Sequence, residues 1–167
     1  DIEQVKLLSY SSFSFDAYIF ELIVAFGTGG TYVVANARAA KTSINLTKLI
    51  QNLDVNSALL TPSILANLDP KDFPNLKNII TGGESSYLET IRGWAENRNY
   101  FNCYGPTETS IAVACETSSD QGISETIGGP LKGIPIYILD KNLKQLPEGF
   151  WGEICIGGPG VSYGYLN

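Results

Sequence analysis

Asn102-Cys103-Tyr104-Gly105-Pro106-Thr107-Glu108 gathers within seven residues an amide able to read a base edge, a ring able to stack on it, and a hydroxyl and a carboxylate suited to phosphate and its metal. The aromatic, alternating run Tyr100 to Tyr104 reads as a strand, and Gly105-Pro106 breaks it, with Pro106 suited to the first position of a helical turn. Two readings fit: a nucleotide-holding loop, or a strand ending in a type I turn with Thr107 as an N-cap. Thr81-Gly82-Gly83-Glu84 stands between an expected strand and an expected helix, where bare backbone amides can meet an anion or a base. Alone it is a weak signal; with Tyr104, which ends the next strand, it describes two walls of one crevice. Gly158 to Gly164 has one residue too many for a dinucleotide fingerprint and no helix after it, so it reads as a turn. The chain has no histidine, which excludes Ser-His-Asp and Cys-His catalysis within it. Cys103, Cys115 and Cys155 are too few and scattered for a disulfide framework, and no CxxC spacing suggests zinc.

The elements that must hold these residues follow from periodicity. Strands are expected at Val5 to Tyr10, Thr31 to Ala35, Ser57 to Leu60, Leu76 to Ile80 and Tyr100 to Tyr104. Between them fall a helix from Ala17 to Phe26, one from about Leu46 to Leu53, a short one from Pro62 to Leu68, and an amphipathic one from Tyr87 to Asn97 with Leu88, Ile91 and Trp94 inward. The first is apolar on nearly every side and reads as buried, with Ile19, Ile23 and Phe26 on one face and Phe20 and Val24 beside them, and Asp16 starts it, either as a simple N-cap or with another role. Strand-helix alternation predicts parallel βαβ units with right-handed crossovers. The expected fold is therefore α/β and flavodoxin-like: a three-layer parallel sheet with helices on both faces over about residues 1–108. A mostly β portion follows over about 109–167, with short antiparallel strands at Ile111 to Cys115, Pro135 to Leu139 and Glu153 to Ile156 packed on the same core.

The 167 residues suffice for a single domain with its own core, and 44% hydrophobic and 17% charged residues are ordinary for a globular protein. A net charge of -6 argues against nucleic acid and anionic membrane as partners. No apolar run is long enough to span a bilayer, no signal-peptide pattern opens the sequence, and the cysteine usage fits a reducing cytoplasm. A sequence without methionine that begins at Asp1 reads as processed or excised.

NCYGPTE resembles the YGPTE signature of adenylate-forming enzymes, in particular the adenylation domains of nonribosomal peptide synthetases. Three more segments resemble family motifs in the family's order: Phe15-Asp16-Ala17, Thr81-Gly82-Gly83-Glu84, and Gly152-Glu153-Ile154-Cys155-Ile156-Gly157-Gly158-Pro159-Gly160-Val161. The resemblance covers essentially the whole chain, which corresponds to the middle part of such a domain. It implies activation of an amino acid with ATP and Mg2+ to an aminoacyl adenylate, followed by transfer to the thiol of a phosphopantetheinylated carrier protein. It implies adenine contacts from Asn102 and Tyr104, an opposite wall from the backbone of Gly83, Glu84 and Ser85, Thr107 near the reacting carboxylate and α-phosphate, and Glu108 on magnesium. Asp16 matches the carboxylate that pairs with the substrate's α-ammonium group. With Ala17, Phe20, Leu59, Ile80, Gly82, Cys103, Ile111 and Ala112 it forms the family's specificity set, which here is apolar beyond the aspartate. That composition implies an apolar and preferably branched aliphatic substrate, with phenylalanine as runner-up. The family's phosphate-gripping loop, ribose-binding aspartate and catalytic lysine have no counterpart among these residues, so the chain by itself is expected to be inactive. Ser162-Tyr163 stands where the family often has Ala-Arg, which puts in doubt any salt bridge expected there. An independent flavodoxin-like module that binds a nucleotide or flavin without catalysis remains the alternative.

Overall fold

The computed structural model describes residues 4–34 and 42–166. Five strands, β1 (Lys6–Ser9), β2 (Thr31–Val34), β3 (Ser57–Leu59), β4 (Asn78–Thr81) and β5 (Asn99–Tyr104), run parallel in the order β2-β1-β3-β4-β5, which is the flavodoxin-like doubly wound order. Two antiparallel strands, β6 (Ala114–Ser118) and β7 (Gly129–Pro130), extend this sheet beyond β5. The hairpin of β8 (Ile136–Leu139) and β9 (Glu153–Ile156) forms a separate two-stranded sheet and adds no residue to either core cluster, so among the described residues β6 and β7 are the strands of the expected β portion that join the main sheet. Ala35, at the end of the second expected strand, lies outside the described residues.

Period-2 alternation splits the core in two. Leu8, Ala58, Ile79 and Tyr100 face one way, and there α2 (Ser43–Asn52), α3 (Pro62–Leu65) and α4 (Leu88–Ala95) supply Leu46, Ile50, Leu65, Ile91 and Trp94 to the larger cluster. Leu7 and Ile80 face the other way, and there α1 (Ala17–Gly27) is the only covering helix among the described residues. Arg98 locks the first layer. Its guanidinium lies over the Trp94 ring and donates to the carbonyls of Leu76, Pro70 and Phe73, closing the loop ends beneath α4.

Several boundaries move for local reasons. α2 begins three residues before the expected start because Thr42 Oγ1 accepts from the Asn45 amide and caps it. α4 ends at Ala95, two residues before Asn97 enters the left-handed region at φ 57°. β6 begins at Ala114 rather than Ile111 because Ser110 and Ile111 both hold positive φ, 67° and 77°, which cannot sit in a ladder.

The largest correction concerns α1. Instead of Ile19, Ile23 and Phe26, it buries Glu21 and Ala25 and leaves those three apolar side chains 48%, 61% and 64% exposed. Ala25 lets the helix approach the sheet closely, while Glu21 is drawn inward by three donors: the Tyr10 and Ser11 amides on Oε1 and the Tyr32 hydroxyl on Oε2. Burial first, and then the neighbouring carboxylate, push the Tyr32 phenol up to about 12, so it stays a donor at every working pH. Glu21→Leu would strip three groups of their acceptor at the end of β1, and its expected cost is roughly 3 kcal/mol. Glu21→Gln, which keeps one carbonyl oxygen, should cost less. Urea unfolding of the two variants checks this, and equal midpoints for Glu21→Leu and the unsubstituted chain would contradict it.

Candidate active site

The lopsided covering of the sheet makes the site. α1 packs on β1 and β2, so among the described residues no helix covers the carboxyl ends of β3, β4 and β5 on that face. A cavity of about 600 Å³ opens there. The helix end supplies Asp16, Ala17 and Phe20, the sheet supplies Leu59, Ile80, Gly82 and Cys103, and the segment after β5 supplies Ile111 and Ala112. All nine positions of the expected specificity set therefore share one wall system. Phe15 joins Asp16 and Ala17 on that wall, and Tyr10, Ser11, Ser12 and Thr61, brought in by the ends of β1 and β3, also reach it although no sequence pattern had marked them.

Asp16 stands at the cap position of α1 but does not cap it. A capping side chain needs an extended backbone to reach the N2 or N3 amide, whereas Asp16 is already helical at φ -62°, ψ -26°, and makes no side-chain cap bond. Its carbonyl accepts from the Ile19 and Phe20 amides, while its half-buried carboxylate is left for the cavity. The simple-cap alternative thus fails for a reason of backbone geometry. The other boundary is tight. A Cβ on Gly82 would lie 2.8 Å from the Cys103 carbonyl oxygen, and one on Gly105 would lie 2.4 Å from that of Ile111. Ile111, a β-branched residue at φ 77°, is held in a strained conformation against that glycine.

Strand alternation makes β5 serve two cavities. Asn102 and Tyr104, on the face of β5 opposite Cys103, line a second of about 420 Å³ that shares Gly83, Glu84, Cys103 and Gly105 with the first. Ser85, Ser86, Glu125 and Ile127 complete the second wall. Asn102 is only 5% exposed and both ends of its amide are engaged: Nδ2 donates to the Thr126 carbonyl at 2.8 Å and Oδ1 accepts from Ser86 Oγ at 3.1 Å. It fastens the Thr126-Ile127 loop to β5, leaving one N–H and one lone pair for a ligand. The Glu84 carboxylate accepts from the amide and hydroxyl of Ser63 and so secures the start of α3, leaving the Gly83 to Ser85 backbone to form the wall. Glu125 and Ile127 escaped sequence reasoning because long-range pairing of β5, β6 and β7 brings them in, and Ser86 follows Ser85 in the connection from β4 to α4.

The turn after β5 differs in register from expectation. Pro106, extended at ψ 151°, is the cap position, and Thr107 opens a single 3₁₀ turn, Thr107–Thr109, rather than capping one. Thr107 lines the first cavity. Glu108 lines neither; its exposed carboxylate accepts from the Tyr165 hydroxyl at 2.9 Å, while its backbone accepts from the Ser162 amide. Its own backbone amide and then Tyr165 hold its carboxyl below the ordinary carboxylate range, so it is ionised and acceptor-only near neutrality. That suits one ligand of a hard cation whose other places are filled by phosphate and water. No group of three or more potential metal ligands occurs among the described residues.

Charge around the two cavities is one-sided. Asp16 and Glu84 line the first and Glu84 and Glu125 the second, with no Lys or Arg on either wall among the described residues. An ammonium group is favoured in the first, and phosphate must find its cations elsewhere. No helix of the described residues is long and apolar enough to cross a membrane.

A family model described as AMP-binding enzyme matches residues 2–166. The chain is 33% identical over 162 residues to bacitracin synthase 3 of Bacillus licheniformis, covering 97% of this chain and 2% of that protein. It is 32% identical over 165 residues to gramicidin S synthase 1 of Brevibacillus brevis, covering 98% of this chain and 15% of the relative. Among solved structures, PA1221, an NRPS protein containing adenylation and PCP domains and bound to a vinylsulfonamide inhibitor, superposes with a TM-score of 0.84 at 29% identity over 97% of this chain and 30% of that one. The chain thus spans a small part of each protein it matches.

Proposed function

Because the chain belongs to the AMP-binding enzyme family, we propose that it is the amino-acid-selecting part of a nonribosomal peptide synthetase adenylation domain, working in the cytoplasm within a longer polypeptide. The parent activates an apolar, preferably branched aliphatic amino acid with ATP to its adenylate and pyrophosphate, and hands the acyl group to a carrier-protein thiol. The observation that carries this reading is the uncapped Asp16 carboxylate on the wall of a cavity that is otherwise mostly apolar around Phe20, Leu59, Ile80 and Ile111. In this assignment Asp16 holds the substrate ammonium, and Ala17, Phe20, Leu59, Ile80, Gly82, Cys103, Ile111 and Ala112 shape the side-chain end. Thr107 sits at the junction with the nucleotide. Tyr104 and Asn102 take the adenine opposite the backbone of Gly83, Glu84 and Ser85, and Glu108 contributes one oxygen to Mg2+, which neutralises phosphate charge when bound. The exposed apolar face of α1 fits coverage by parts of the polypeptide outside this chain.

An apolar side chain gains about 25 cal/mol per Å² buried in such a cavity, whereas an amide or charge loses roughly 1–3 kcal/mol for each unpaired group. Phe20, Leu59 and Ile111 take up volume and favour valine, isoleucine or leucine, while Gly82 and Ala112 leave depth for phenylalanine. The flavin- or nucleotide-module alternative is disfavoured by Glu21, which occupies the Tyr10 and Ser11 amides at the end of β1 and sets a carboxylate where a phosphate would have to bind.

The test is amino-acid-dependent pyrophosphate exchange by the parent adenylation domain with all twenty amino acids. Valine, isoleucine or leucine should lead, with discrimination among them of about 10 to 200-fold per methylene at most. A preference for aspartate, lysine or glutamine, or tight binding of flavin mononucleotide in calorimetry, would overturn the reading.

A further inference from the structure

We propose that Cys103 and Cys115 form a redox-modifiable dithiol in the wall of the amino-acid cavity, closing to a cross-strand disulfide on reaction with a small aliphatic disulfide and thereby shutting down amino-acid activation. The two residues are direct partners in the antiparallel β5-β6 ladder, and their Sγ atoms are 3.3 Å apart, both as free thiols. Residues directly opposite in such a ladder have Cα atoms about 4.5 or 5.5 Å apart, and both spacings fall within the roughly 4.4–6.8 Å that a disulfide spans. Closing the bond needs rotation about the side chains and no movement of strands. The third cysteine, Cys155, lies on β9 in the separate hairpin.

The pair is chemically asymmetric. The Cys103 thiol donates toward Cys115, which lowers the Cys115 thiol from its ordinary value and raises that of Cys103, with burial adding to the latter. Cys115 is therefore the side that ionises and attacks. Its thiolate displaces one thiolate from the oxidant RSSR to give a mixed disulfide. Cys103 then loses its proton to the released thiolate and attacks Cys115 Sγ, expelling the second thiolate. Two protein thiols and one RSSR thus become one cross-strand disulfide and two RSH. Because Cys103 lines the cavity while Cys115 does not, the bond pulls one wall atom toward the neighbouring strand. In a reducing compartment such a pair is a sensor rather than a staple.

The functional half rests on the assignment of the cavity to the amino acid, so the test has two separate readouts. The reduced parent synthetase is treated with glutathione disulfide, cut after glutamates and mapped by mass. Peptides 97–108 and 109–116, each carrying one cysteine of the pair, should be found joined. Amino-acid-dependent exchange should fall about tenfold or more and return on adding thiol reductant. Cys115→Ser, with Cys115→Val in reserve should it misfold, should keep the reduced activity and lose the sensitivity. Glutathione adducts without the joined peptides would overturn the dithiol. Joined peptides with undiminished exchange would overturn the control of the cavity. Absence of exchange from the reduced native enzyme would count against the functional reading while leaving the peptide map to decide the dithiol.

Discussion

Asp16→Ala in the parent synthetase should lower kcat/KM for its amino acid by roughly two to four orders of magnitude. An ammonium ion left without its carboxylate in a half-buried, mostly apolar cavity costs roughly 3–5 kcal/mol, and each 1.36 kcal/mol is a factor of ten. Stability should hardly change, because Asp16 is helical in its backbone and makes no side-chain cap bond that alanine would remove. That separates the proposed role from the simple N-cap, whose loss would cost about 1 kcal/mol of folding and little activity. Asp16→Asn, which keeps the shape and loses the charge, should resemble alanine in activity. The α-hydroxy acid counterpart of the substrate, which carries no ammonium, should lose far less than the amino acid does on going from the parent enzyme to Asp16→Ala. Unchanged catalytic efficiency on the amino acid, or a shared loss on both compounds, would refute the assignment.

The sheet was readable because each of its five parallel strands is short, apolar and bounded by glycine, proline or polar residues, and because the strand-helix alternation leaves few topologies. Hydrophobicity misled at α1. A helix that is apolar all round offers no phase to its periodicity, and its orientation is decided by three donors that hold Glu21 inward. In the candidate site, the residues that share a cavity were legible wherever strand alternation or a helix start fixes direction, as for Asp16, Phe20, Ile80, Cys103 and Tyr104. Tyr10, Ser12, Thr61 and Ile127 were not, since they reach the cavities through loops whose course depends on tertiary pairing. The Cys103-Cys115 contact was hidden for the same reason: a spacing of twelve residues shows no motif, and only the antiparallel register of β5 and β6 sets the thiols face to face.

The 167-residue chain alone should fold and yet give no amino-acid-dependent pyrophosphate exchange. Folding is supported by the closed cluster around Leu8, Ile79, Tyr100 and Trp94, locked by the Arg98 guanidinium on three loop carbonyls. Catalysis fails on charge. Adenylation concentrates negative charge on the α-phosphate and on departing pyrophosphate, and each preorganised group that stabilises such charge contributes about 10² to 10³ in rate. Among the described residues neither cavity wall carries a lysine or an arginine, and the charged side chains there are Asp16, Glu84 and Glu125, which repel phosphate. Even with Mg2+ held through Glu108, one exposed carboxylate that also receives the Tyr165 hydroxyl is a single ligand for an ion that needs near-octahedral surroundings. Two or more missing cationic groups therefore remove at least about four orders of magnitude, which takes exchange below detection. Circular dichroism with a cooperative urea transition checks the fold, and exchange with radiolabelled pyrophosphate checks the chemistry. Exchange above a no-enzyme control, dependent on an added amino acid, would show that the 167 residues suffice for the reaction and that cationic groups of this chain stabilise its phosphate charge.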